Sequence, residues 1–214
     1  MVRRGPLGGR LITRAGCLIA MATVHRLPSS VKAAEILQIR IELEGLEPAI
    51  WRRVWVPASI PLGKLHRVIQ VAMGWTDSHL HEFDIGGKRY GLSDPDGELP
   101  YEIITETKVR LDAALSGRKT FTYLYDFGDS WEHQLKVEKT LPAKALPHPV
   151  CEAGEHACPP EDVGGAPGYI DFVHAIADPR HPEHQEMLEW CGGAFDPRAF
   201  DSNRINRQLK RIKL

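Results

Sequence analysis

Three histidines stand where strand-like alternation would turn them to one side of a sheet. His79, His81, Phe83 and Ile85 share one parity, and His133 shares its parity with Trp131, Leu135 and Val137. An unpartnered imidazole nitrogen on a buried face costs about 1–3 kcal/mol, so each ring needs a partner. Asp126 and Asp129, in the stretch Asp126-Phe127-Gly128-Asp129-Ser130 just before Trp131, are the nearest carboxylates in sequence. Imidazole with carboxylate suits zinc, iron or manganese, which makes His79, His81, Asp126, Asp129 and His133 a candidate metal or substrate pocket. The plainer account is that each histidine is a satisfied core residue and the Asp-Phe-Gly-Asp stretch a tight turn, with Gly128 supplying positive φ. Asp-Phe-Gly also occurs in protein kinases, but the glycine loop, strand lysine and catalytic-loop motif that would accompany it are absent.

A second constellation is Cys151 and Cys158, with six residues between them and accompanied by Glu155 and His156. Held with a distant His or Cys, they are candidate ligands of a structural zinc that would keep an irregular loop folded, although zinc fingers space such a pair by about two to four residues. Two buried small hydrophobes or a reversible disulfide explain them equally. Glu161-Asp162, ahead of Val163-Gly164-Gly165, reads more simply as acids near a helix N-terminus than as catalytic groups. Arg204, Arg207, Lys210, Arg211 and Lys213 carry no acid among them and follow an apolar stripe of Ile205, Leu209 and Ile212. They form either a solvated helix face or a small contact for nucleic acid or an acidic partner, salt-sensitive and blind to base sequence.

The elements that must position these residues follow from periodicity. Leu37, Ile39, Ile41 and Leu43 alternate with polar residues as a half-buried strand; Trp51–Val56 is a second. Leu62, Leu65, Ile69, Ala72 and Met73 recur at helical spacing behind Pro61, and Gly74 stops that helix. A hairpin turns at Gly86-Gly87, and a longer one joins Phe121–Tyr125 to Trp131–Val137. The stretch from Ser93 to Glu98 resembles a calcium loop only at its start, because Pro95 interrupts the ligand run; it reads as a turn. Leu141–Pro167 reads as a Pro- and Gly-rich irregular stretch, and helices follow around Tyr169–Ile176, His184–Cys191 and Ile205–Ile212. The expected fold is α+β, a mostly antiparallel sheet packed by helices with a helical C-terminal third.

The 214 residues are 43% apolar and 26% charged, a globular composition without the run of about 18 apolar residues that a membrane span needs. Residues 1–20 carry four arginines and no acid. Setting those four aside leaves 23 cations against 28 acids, a formal charge near −5 for the remainder. That balance disfavours wholesale nucleic-acid binding and leaves only the local C-terminal basic patch for it. The apolar segment Cys17–Met21 is too short for a secretory core, and Met21 offers an internal start. Residues 1–30 are therefore expected to be a loose extension or a start-site artefact, residues 31–214 a single domain, and the protein cytoplasmic with reduced thiols.

Four signatures in one order carry a resemblance: Ile50-Trp51-Arg52-Arg53-Val54, Gly74-Trp75-Thr76-Asp77-Ser78-His79-Leu80-His81-Glu82-Phe83, Tyr125–His133 and Cys158-Pro159-Pro160-Glu161-Asp162-Val163-Gly164-Gly165. Over about Ile36 to Phe200 the chain resembles the plasmid pRiA4b ORF-3-like family. The resemblance implies one mixed α and β domain of bacterial, plasmid or mobile-element origin and no particular activity. Some members carry a resolvase label, yet neither a serine nor a tyrosine recombinase layout is present, and Cys191 stands where an aliphatic residue is expected. Two functions follow as expectations: a binding or accessory module of a plasmid or mobile-element system, or a metal-dependent hydrolase or nuclease using the His and Asp cluster. The enzyme requires these side chains to converge at an open pocket; the module requires sealed or scattered histidines and a surface patch elsewhere.

Overall fold

Strict alternation of apolar and polar residues builds the sheet. In the computed structural model, which describes residues 1–2, 34–92, 101–142 and 146–214, the first strand is β1 (Glu35–Leu43) and the second β2 (Ile50–Pro57). Leu37, Ile39, Ile41 and Leu43 on β1, and Ile50, Val54 and Val56 on β2, are buried on one face. The opposite face is polar: the Arg40 and Arg53 guanidiniums stack over Trp51 at 4.2 and 5.1 Å, and Arg53 pairs with Glu138 at 2.6 Å. Such a sheet must be covered on its apolar face alone.

Helix α1 (Leu62–Met73) supplies part of that cover, with Leu62, Leu65, Val68, Ile69, Ala72 and Met73 buried. Gly74 ends it at φ 102°, its N–H donating to Gln70 O at 2.8 Å. The hairpin β3 (His81–Ile85) to β4 (Lys88–Gly91) turns through Gly86 and Gly87, both at positive φ, as the glycine pair predicts. Then come β5 (Ile104–Thr105), a 3-10 turn at Glu106–Lys108, α2 (Leu111–Leu115) and the long hairpin β6 (Thr120–Tyr125) to β7 (Trp131–Pro142). After β8 (Val150–Glu155) the chain continues through α3 (Gly165–Ala177), α4 (His184–Trp190) and α5 (Ser202–Leu209). The eight strands among the described residues form one sheet in the order β5-β4-β3-β6-β7-β1-β2-β8, antiparallel except where β4 meets β5.

The fold is thus a mixed α and β structure on a mostly antiparallel sheet, and Ala33–Leu214 forms one compact unit. Three sequence expectations are corrected. β3 begins at His81, so His79 lies in the turn before it rather than on the strand. The stretch from Leu141 to Pro167 is not wholly irregular: β7 extends to Pro142, and β8 pairs with β2 from Val54↔Cys151 to Trp51↔Glu155. Gly128 is not at positive φ; Asp126 (φ 57°) and Ser130 (φ 58°) turn that hairpin instead. The expected extension at residues 1–30, apart from Met1 and Val2, and the polar turn at Ser93–Glu98 lie outside the described residues. No helix among the described residues is long and apolar enough to cross a membrane.

Candidate functional site

The three histidines singled out by parity do not meet in one pocket. His133 is wholly buried. Its Nδ1 donates toward Trp131 O at 2.9 Å and Tyr123 O at 3.2 Å, leaving Nε2 buried and unpartnered beside the Trp75 indole. Burial holds its pKa down at about 4, against the pull of the two carbonyls. This ring is neutral and enclosed in the core, far better suited to packing than to ligation.

His81 joins a different cluster. Its ring stacks on His66 with centroids 3.5 Å apart and planes within 6°, and its Nε2 lies 3.1 Å from Glu106 Oε2. Gln70 fixes the protons of the neighbouring network, because its Oε1 accepts the Asp77 N–H and its amide must then donate to the Tyr123 hydroxyl at 3.1 Å. The hydroxyl in turn donates to His66 Nδ1 at 2.8 Å, and His66 Nε2–H donates to Asp77 Oδ1 at 2.7 Å. Burial first, then the His81 ring, lowers the His66 pKa, and Asp77 only partly opposes them. Donor atoms of His66, Asp77 and His81 lie within 4.8 Å of one another, but both His66 nitrogens are already engaged.

His79 and Asp126 do come together, with two acids expected only to cap a helix. His79 Nε2 lies 3.0 Å from Asp162 Oδ1, 3.5 Å from Asp126 Oδ2 and 3.9 Å from Glu161 Oε2. None of these approaches has hydrogen-bond alignment, so the buried Nε2 has no hydrogen-bond partner. Asp126 Oδ1 accepts the Gly128 and Asp129 N–H groups at 2.9 and 3.3 Å, which holds Oδ2 toward the ring. Glu161 accepts from Thr76 N at 2.7 Å and from the Tyr125 hydroxyl at 3.2 Å. Burial and this carboxylate push Tyr125 up to about 12, so it remains a donor. The capping expectation fails, since α3 begins at Gly164-Gly165 with no side-chain cap and no acid in its first turn.

Asp129 fastens the two loops rather than joining the cluster. Its Oδ2 accepts the Gly164 N–H at 3.1 Å, and a Cβ on Gly165 (φ 68°) would stand 2.5 Å from Asp129 O. Only glycine permits that approach. Parts of three signature stretches, 74–83, 125–133 and 158–165, therefore converge here.

Cys151 and Cys158 sit beside Arg52, and among the described residues neither belongs to a group of three donors within ligand reach. Burial pushes their thiols up to about 11 and about 12, with Arg52 opposing in both cases. What holds this segment is instead Arg52, a buried cation that parity alone assigns to the core face of β2. Its guanidinium donates to Ala72 O (2.9 Å), Trp51 O (2.7 Å), Glu155 O (2.8 Å) and His156 O (2.8 Å), and lies 5.0 Å from the Phe200 ring centre. No carboxylate pairs with it among the described residues.

Arg52 contributes to the floor of an open groove of about 920 Å³ between α1 and α5. Arg67 lines one side, Arg204 and Arg211 the other, all three exposed, with Trp75 and Phe200 also lining it. Among the described residues none of these three guanidiniums makes an ion pair. Of the basic residues expected to contact a partner, Arg204 and Arg211 line the groove, whereas Arg207 and Lys210 are exposed outside it.

The sequence profile of plasmid pRiA4b ORF-3-like proteins matches residues 35–204. The uncharacterized protein y4hQ of Sinorhizobium fredii is 44% identical over 179 residues, which cover 82% of this chain and 91% of that protein. The crystal structure of a protein of unknown function from Methanosarcina mazei, MM3350, is similar with a TM-score of 0.72 and 33% identity, over 79% of this chain and 97% of the other. With this profile match over most of its length and a 44% identical relative, the chain belongs to the plasmid pRiA4b ORF-3-like family.

Proposed function

We propose that the protein is a binding module that takes an acidic segment of a partner protein into the α1–α5 groove. The observation that carries this is the set of three exposed, unpaired guanidiniums, Arg67, Arg204 and Arg211, around a floor that holds a fourth, buried one without a counter-carboxylate. Guanidinium pairs carboxylates as a planar fork, and the partly exposed Phe200 and Ile205 add apolar surface to the groove. Residues 21–214, the groove's own arginines included, carry a formal charge near −5, which opposes a long polyanion spread over the surface more than a short acidic segment confined to the groove. The setting suggested by the family's name is a plasmid or mobile-element system in which the module is an accessory. A hydrolase or nuclease built on three converging imidazoles gains no support from this geometry, because His81 and His133 are engaged elsewhere.

The test is fluorescence anisotropy with a labelled Glu/Asp-rich decapeptide, a neutral decapeptide and a single-stranded oligonucleotide. The full chain should bind the acidic peptide and lose affinity as salt rises. Replacing Arg67, Arg204 and Arg211 together by alanine should weaken binding about tenfold or more, at about 0.5–1 kcal/mol per exposed contact. Tighter binding of the oligonucleotide, or affinity unchanged in the triple variant, would overturn the reading.

A further inference from the structure

The groove leaves unused the cluster at the opposite end of the Trp75–His79 turn, where one imidazole nitrogen faces three carboxylates. Asp126 is nine-tenths buried at the side chain, His79 is 28% exposed, Glu161 21% and Asp162 70%, so the cluster is walled on one side and open on the other. Glu161 and Asp162 also border a cleft of about 610 Å³. Among the described residues no lysine or arginine pairs with any of the three acids. Carboxylates gathered in this way repel one another unless a cation lies among them.

The geometry points to a divalent transition-metal ion held by His79 Nε2, Asp126 Oδ2 and Asp162 Oδ1, with Glu161 as a fourth carboxylate. Donors about 2.0–2.2 Å from one ion stand roughly 3–3.5 Å apart at tetrahedral or cis octahedral angles. The spacings of 3.0 and 3.5 Å from Nε2 to Asp162 and Asp126 match this, and 3.9 Å to Glu161 needs only a small side-chain adjustment. The independent sign of a missing ligand is Nε2 itself, buried, unpartnered and surrounded by oxygens that approach it without hydrogen-bond alignment. Acceptors around a shared ion have this arrangement, because every lone pair is directed at the metal rather than at a proton. The outer contacts suit the same role: Asp126 is held by two backbone N–H groups, and Glu161 by Thr76 and Tyr125. One nitrogen with several hard oxygens favours Mn²⁺, Fe²⁺ or Zn²⁺ over a thiolate-seeking ion. The exposed side leaves room for water in the remaining positions.

The competing cluster lacks this geometry. Cofacial rings 3.5 Å apart keep their in-plane lone pairs in two parallel planes, so His66 and His81 do not aim at one point, and both His66 nitrogens are spent on Tyr123 and Asp77.

The consequence is a clamp. The ion joins the β6–β7 hairpin tip, the turn before β3 and the loop before α3, three segments already tied by the Asp126 N–H to Leu80 O and through Asp129 and Glu161. Untagged full-length protein stripped with chelator should bind Zn²⁺ and Mn²⁺ by calorimetry at one ion per chain. Its thermal midpoint should rise about 5–10 °C at a hundredfold excess over Kd. The variants Asp162→Asn, at an exposed position that leaves the core intact, and His79→Gln should each lose tenfold or more in affinity. His66→Gln and the double variant Cys151→Ser, Cys158→Ser should keep it. No binding, undiminished binding by both site variants, or loss confined to the cysteine variant would overturn the assignment.

Discussion

His133 shows how one buried ring sets a pH limit. Its pKa in the fold is held near 4 by burial, against about 6.5 in an unfolded chain. Above pH 6.5 both states are neutral and the fold keeps its full stability. As pH falls from 6.5 toward 4, the unfolded chain takes up a proton that the core refuses, and stability drains by about 3 kcal/mol across that window. His66, also lowered by burial, acts in the same direction. Urea unfolding at pH 7 and pH 5 should show this loss in the wild type and a clearly smaller one in His133→Leu; equal losses would mean that the ring is not the titrating group. Parity placed His133 and His81 inward correctly as strand residues, because alternation is local. Parity does not say which inward residues face each other across the sheet, and so it grouped rings that the fold keeps apart.

At the scale of elements, α5 is fastened to β8 by one side chain that imitates a strand. Asn206 Oδ1 accepts the Cys151 N–H and its Nδ2 donates to Cys151 O, both at 2.8 Å, while Cys151 sits at the edge of the sheet. Asn206→Leu leaves two backbone groups without partners and should cost about 2–4 kcal/mol. Amide exchange at Cys151 should quicken in that variant, and exchange at β1 should not. Strands β1 to β4, β6 and β7, helix α1, the two hairpins and the Gly74 stop were legible because each rests on short-range periodicity or on a turn residue. β8 was not, since Val150–Glu155 reads as an interrupted run and acquires its strand character only by pairing with β2. The same holds for the site: His79 and Asp126 were visible as residue types, but Asp162 and Glu161 reach them only because Gly164 and Gly165 let that loop lie against Asp129. His66 carried a signal that went unused, four residues after Leu62 on the buried stripe of α1.

For the whole molecule, the eight strands form an open sheet with two ends, and the ends are treated differently. One finishes in β5, two residues long and too short to recruit a neighbour. The other finishes in β8, six residues long, where Asn206 occupies the outward hydrogen-bonding groups of Cys151 and Leu209 of α5 is buried against the core. A chain cut after Phe200 would leave that rim bare, with a ladder of unmet amides and carbonyls able to template a second chain. Sedimentation should then find self-associated species where the intact protein gives one. The last fourteen residues, which supply two of the groove's arginines, would in that case also be what keeps each copy from zipping onto the next.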